Sequence, residues 1–320
     1  MSVRKPRFNI PIKAKHFLPK YWFAWFLIAL LYVSAYIPIK IRDRFARFLG
    51  MRIYHTKLLA KRKKIALANI SICFPEYTEQ QKEELMQKNV IALAQIALSL
   101  GEIVFRSRTF LHKRINFIGE HYLKETEAQG KAAIFLSAHT YGVDFSATAA
   151  ICARGYSLSG MFKDYNNPIF DWFSLKSRTR FGDLTGKGML YHRNEGLKPI
   201  IKSLRDKIHF FYLPDEDHGR ESSIFVPFFA TQKATLPLTG RLAKLGRACV
   251  IPIYSSYNEK TSKVDVICHA PLQNFPTNNE VHDTQKISEA LEKLINENRS
   301  QYMWTLKFLK TRPDENENIY

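Results

Sequence analysis

Apolar and polar positions along the chain fall into three regimes. Between Lys20 and Lys40 stand nineteen uncharged residues, YWFAWFLIALLYVSAYIPI. As a helix they would extend about 28 Å, close to the roughly 30 Å of bilayer hydrocarbon. Tyr21, Trp22 and Trp25 crowd one end, with Tyr32 and Tyr36 toward the other, as interfacial belts require. The stretch is too long for a signal-peptide core and no small-residue cleavage site follows it, so a membrane-anchoring helix is expected. A helix buried in a soluble protein is the bland alternative. Residues 79–105 form the second regime, a long helix that starts polar and grows apolar.

From about residue 115 short apolar strands alternate with helical stretches. The strands are expected at Ala132–Ser137, Leu158–Phe162, His209–Leu213, Cys249–Tyr254 and Val264–His269. Helices are expected at Asp144–Ala153, Pro168–Arg180, Glu195–Arg205, Ala234–Leu245 and Thr284–Asn298. This alternation predicts an α/β fold, a layered sheet flanked by helices. The chain then divides into a basic N-terminus and anchor helix (1–40), a basic, amphipathic helical region (41–110) and an α/β domain (111–320). The polar tail after Thr311 is expected to be loosely held.

Charge sharpens the first regime. The chain carries 48 Lys and Arg against 29 Asp and Glu, a net +19. Residues 1–64 hold sixteen of the bases and one acid, Asp43, so they supply +15 of that excess. Six bases precede the apolar stretch and ten lie in residues 40–64, which by the positive-inside bias favours a cytoplasmic C-terminal domain. Basic flanks on both sides also fit a helix lying in one leaflet. The run KLLAKRKKIAL (57–67) reads as a solvated face or, beside an anchor, as a contact for anionic lipid headgroups. Nucleic acid is not an expected partner, because the domain has no basic stripe or binding motif. Cys73, Cys152, Cys249 and Cys268 form no CxxC pair, which argues against a disulfide scaffold and fits a reducing compartment.

Candidate chemistry sits where strands end. The run AAIFLSAHTYGVDFSATAAI passes from an apolar strand through His139 and Gly142 to Asp144 at a helix start. Within one helix the two side chains would point about 140° apart. With His139 on the preceding loop they can meet at the strand's carboxyl end, where open α/β sheets place ligands. A carboxylate on one imidazole nitrogen leaves the other to take a proton from a substrate hydroxyl. Read alone, the pair is equally well a helix cap beside a loop histidine. Arg193 follows a short apolar stretch in GKGMLYHR, and Asp215, Glu216, Asp217 and His218 follow the strand in HFFYLPDEDHG. A surface cation and an acidic turn are the bland readings of these. No second ligand set with metal spacing appears, so neither a metal nor a cofactor is expected. GxSxG, P-loop and GxGxxG motifs are absent from the sequence.

AHTYGVD, FKDYNNPIFDW, LPDEDHG, FVPFFATQKATLP and QYMWTLKFLKTRP, in that order and over nearly the whole chain, resemble the late acyltransferases of bacterial lipid A biosynthesis. Asp in H-x4-[DE], with DEDHG and FFATQKATLP, looks closer to the myristoyltransferase branch than to the lauroyltransferase branch. The resemblance implies a glycerolipid-acyltransferase-like fold. It makes His139 and Asp144 the catalytic general-base pair and Arg193 a holder of an anionic acceptor. Asp215 falls where the wider group has the Glu of EGTR; the following Thr-Arg is missing here, so sugar-hydroxyl binding and loop ordering are both open. Asp215 and Asp217 stand with Arg193 as substrate-binding candidates, and Pro252 matches a shaping proline. The implied reaction moves an acyl chain, myristoyl by branch, from acyl carrier protein to a 3-hydroxyacyl hydroxyl of a Kdo-bearing lipid A precursor. The implied place is the cytoplasmic face of the inner membrane. A glycerophospholipid acyltransferase, or a non-catalytic membrane-surface binding protein, are the rival readings.

Overall fold

The computed structural model describes residues 12–181 and 189–320. The first eleven residues, with three of the expected N-terminal bases, and residues 186–188 of the Arg193 run lie outside them.

Helix α1 (Trp22–Tyr36) is followed by α2 (Ile39–Tyr54), α3 (Ala60–Cys73), α4 (Glu79–Phe105) and α5 (Arg108–Arg114). Then come β1 (Ile115–Ile118), α6 (Glu120–Ala128), β2 (Ala133–Leu136), β3 (Leu158–Phe162), α7 (Pro168–Thr179), β4 (Met189–His192), α8 (Lys198–Arg205) and β5 (His209–Tyr212). The chain closes with β6 (Ile224–Phe228), β7 (Thr231–Thr235), α9 (Leu238–Gly246), β8 (Cys249–Asn258), β9 (Lys263–Cys268) and α10 (Glu280–Glu297). Seven strands form one sheet in the order β1-β9-β8-β2-β5-β3-β4, and β6 and β7 form a separate hairpin. All neighbours in the sheet are parallel except β8 and β9. Every residue of β2 and β5 is buried, as a continuous apolar strand covered on both faces must be. The expected α/β sheet flanked by helices is therefore present.

Three expected elements differ. The helix after His139 is a π-helix, Phe145–Ile151, closed by a 3-10 turn, and the Cys152 amide donates to Ala147 O across the widened turn. Ala234 belongs to β7, because Thr231–Thr235 pairs with Ile224–Phe228, and α9 starts only after Pro237. The tail is tied down: the Arg312 guanidinium donates to Gln232 O (2.7 Å) and Thr231 Oγ1 (2.9 Å), and the Tyr320 hydroxyl donates to Asn69 Oδ1.

The apolar N-terminal stretch makes a helix of 15 residues, about 22 Å long, that stops before Pro38. Among the described residues α4 is the one helix long and apolar enough to cross a membrane, yet most of that stretch is buried. It works as a core helix: Ile96 and Ile103 share a cluster with Phe135 and Ile251 of the sheet. A capping box starts it, with Thr78 and Gln81 exchanging hydrogen bonds of 2.8 and 3.2 Å. Gly101 lets α1 lie against it, since a Cβ there would overlap the Leu31 carbonyl. Next to that crossing Glu102, fully buried, bonds Arg42 of α2 (2.5 Å) and Arg114 of α5 (2.8 Å), both buried guanidiniums.

Truncating one member of a buried ion cluster leaves uncompensated charge and costs about 3–5 kcal/mol. Glu102→Gln is expected to lower unfolding stability by about that amount, read as a shifted urea midpoint in detergent.

Candidate active site

Strands β2 and β5 are neighbours in register, with Leu136 opposite Tyr212 and one further bond from the Ser137 amide to Tyr212 O (3.0 Å). Three residues beyond Leu136 the chain reaches His139, and three beyond Tyr212 it reaches Asp215. Equal overhangs at the carboxyl edge thus bring these two together. Asp215, only 2% exposed, accepts the His139 backbone amide on one oxygen (2.8 Å) and faces His139 Nδ1 with the other (2.5 Å). The C-terminal segment braces the same loop: the Met303 amide donates to His139 O (2.8 Å) and the Tyr141 amide to Gln301 O (3.1 Å).

His139 Nε2 points the other way, 3.6 Å from Glu216 Oε1, and makes no hydrogen bond among the described residues. Burial disfavours the imidazolium, but the Asp215 carboxylate outweighs it, so the ring holds its proton above the ordinary 6.5. Burial likewise opposes the Asp215 charge, and His139 overcomes this to keep the carboxyl below its usual range. Behind Asp215 lie Lys233 of β7, fully buried and pushed down by that burial, and the Tyr302 phenol, pushed well up by burial and then by the Asp215 charge.

The structure does not give His139 the partner expected from H-x4-D. Asp144 occupies the N-cap of the π-helix without capping it, and its carboxylate accepts from Arg178 Nε of α7 at 3.1 Å. Side chains leaving a helix start and a loop five residues earlier diverge, whereas the neighbouring strand delivers Asp215 directly. The other expected residues separate in the same way. Arg193, half exposed after β4, donates to both oxygens of Glu216 (2.8 and 2.7 Å). Asp217 accepts from the Thr311 amide (2.6 Å) and hydroxyl (2.7 Å). Sequence reasoning does not single out Glu216, Arg178, Lys233 or Tyr302, though Glu216 lay in the quoted acidic run and Lys233 in FFATQKATLP.

Asp144 and Arg178 are the charged members of a cavity of about 110 Å³ whose walls include Val143, Ala147, Cys152, Leu158, Phe211 and Leu213. A mostly apolar cavity with one ion pair suits an apolar ligand that carries a polar group, and Val143 and Asp144 of its wall directly follow the loop that carries His139.

Residues 10–311 match the family model described as bacterial lipid A biosynthesis acyltransferase. The chain belongs to the bacterial lipid A biosynthesis acyltransferases. It is 36% identical over 302 residues to a lipid A biosynthesis acyltransferase of Haemophilus influenzae, covering 94% of this chain and 92% of that protein. It is 35% identical to the lipid A biosynthesis myristoyltransferase of Escherichia coli, covering 92% and 88%, and 27% identical to the lauroyltransferase of that organism, covering 92% and 94%. As a lipid A biosynthesis acyltransferase the protein is an enzyme of acyl transfer, and the cavity and imidazole are features that such chemistry can use.

Titration of the His139 ring separates the two carboxylates. By NMR of ring-labelled histidine, its midpoint is expected above 6.5 in the native acyltransferase. Asp215→Asn removes the charge that favours the imidazolium and is expected to move the midpoint down; Asp144→Asn is expected to leave it in place.

Proposed function

We propose that this acyltransferase moves a fatty acyl group, myristoyl by its greater likeness to the myristoyltransferase, from an acyl carrier protein thioester to a hydroxyl. The acceptor is the 3-hydroxyl of an acyl chain on a Kdo-bearing lipid A precursor, at the cytoplasmic face of the inner membrane. The observation that carries this reading is an imidazole fixed through Nδ1 at the carboxyl edge of the sheet, with Nε2 making no hydrogen bond among the described residues, on the chain that runs on into Val143 and Asp144 of a mostly apolar cavity wall.

In this mechanism His139 Nε2 takes the proton of the acceptor hydroxyl as its oxygen attacks the thioester carbonyl. The tetrahedral intermediate collapses by breaking the carbon–sulfur bond, and the imidazolium returns the proton to the departing thiolate. Asp215 holds the tautomer that leaves Nε2 free and stabilises the imidazolium. Asp144 acts one step removed: its ion pair with Arg178 borders the cavity and positions the polar head of the bound acyl chain. A thioester is reactive enough to need no enzyme nucleophile. Glu216 and Arg193 stand where the acceptor arrives, and Arg193 exchanges its carboxylate partner for an anionic group of the glycolipid. The basic N-terminal segment attaches the enzyme to anionic membrane.

The test incubates the purified protein with a Kdo-bearing penta-acylated precursor and myristoyl-carrier protein and follows the lipid by mass spectrometry. A myristoyl mass gain is expected, falling about 10²–10⁴-fold in His139→Ala, the usual worth of general-base assistance. No mass gain with carrier proteins of any chain length, from protein that still binds the lipid, overturns the reading.

A further inference from the structure

Nineteen large hydrophobic side chains stand exposed among the described residues, and fourteen of them fall between Phe17 and Leu58. They stand on the exposed sides of α1 and α2, on the turn before α1 and on the turn Lys57–Leu59 before α3, and Trp22, Phe23, Phe26, Phe45, Phe48 and Leu58 are each more than half exposed. Exposed cations run through the same stretch: Lys20, Lys40, Arg44, Arg52, Lys57 and Lys61. The one acid of this stretch, Asp43, is not exposed and accepts from the Ser262 hydroxyl (3.2 Å). Apolar side chains interleaved with bases, of which Arg47 of α2 is paired with Glu259, match a layer with anionic headgroups outside and hydrocarbon just beneath.

The inner side of α1 decides how it meets that layer, because the helix is docked on the body of the protein from end to end. At its start the Trp25 indole donates to His16 O (2.8 Å) and packs on Trp172 of α7 at 5.7 Å, while Ala24 and Ile28 pack with Ile169. At its end the Ser34 hydroxyl donates to Leu98 O and the Tyr36 hydroxyl to Phe105 O (3.0 Å). Standing α1 across a bilayer would carry α7 and the Arg42–Glu102–Arg114 cluster into the hydrocarbon with it. Its length of about 22 Å also falls short of the roughly 30 Å to be crossed.

We propose that α1, α2 and the start of α3 form a monotopic anchor lying in the plane of one leaflet of an anionic bilayer, with α1 not crossing it. This deepens the membrane attachment proposed above and rests on it. Helix α7, which holds α1, also borders the acyl cavity through Arg178 and Thr179. Leaflet and cavity therefore meet across a single helix, and an acceptor lipid can approach sideways from the layer in which it is dissolved.

The test places one cysteine at either end of α1, Lys15→Cys or Lys40→Cys, in the full chain. Inside-out inner-membrane vesicles from expressing cells are treated with a membrane-impermeant maleimide, and the unsubstituted protein supplies the background of its four native thiols. Both positions are expected to label to the same extent without detergent. Protection of either position until detergent opens the vesicles overturns the proposal. Acylation assayed on the same vesicles keeps the two readings apart. Protection of one end with acylation intact sinks the in-plane anchor alone, and equal labelling without acylation sinks the proposed reaction alone.

Discussion

A carboxylate sealed from water needs donors at hand, and Asp215 finds two in a single residue. One oxygen takes the backbone amide of His139 and the other meets its ring, so loop conformation and imidazole orientation are set together. The arrangement depends on β2 and β5 running parallel and ending level, and therefore on the central register of the sheet. Two further elements reach the same point: β7 brings Lys233 beneath the carboxylate, and the chain around Tyr302 pairs with the loop that carries His139. Four separate parts of the sequence close on one buried negative charge.

The three consecutive acids after β5 divide their work by partner. Asp215 turns inward to His139, Glu216 outward to Arg193, and Asp217 toward Thr311 of the tail. A charge run that reads as a turn in one dimension is in space a junction between the sheet edge, the segment after β4 and the C-terminal segment. A second buried charge, Glu102, plays a comparable part at the other face by joining α2, α4 and α5.

Much of this architecture was legible in the residues. The central strands and α4 announced themselves through apolar runs and a polar helix start. His139 was marked by its position past a strand, and so was the acidic run. The contact between His139 and Asp215 was not legible, because H-x4-D describes neighbours along the chain while this contact joins the ends of β2 and β5, 76 residues apart. The β6–β7 hairpin escaped notice because TQKAT is polar and IFVPF contains Pro227, so neither alternates cleanly. The nineteen uncharged residues predicted a helix but not where it would stop or what it would pack on. That depended on which side of α1 found protein to lie against.

The π-helix after Asp144 has a consequence for cavity shape. A turn closed by five residues instead of four carries one residue more than an α-helix of the same height, and such single-turn bulges gather at functional sites. Ala147, Thr148 and Cys152 reach the cavity from this segment and its exit. Removing one residue would let the turn relax to α-helical spacing and swing everything after it by about 100° around the axis. The bore of the cavity is thus written partly as a count, one residue in surplus, and its shape can change by length of the segment with its residue types untouched.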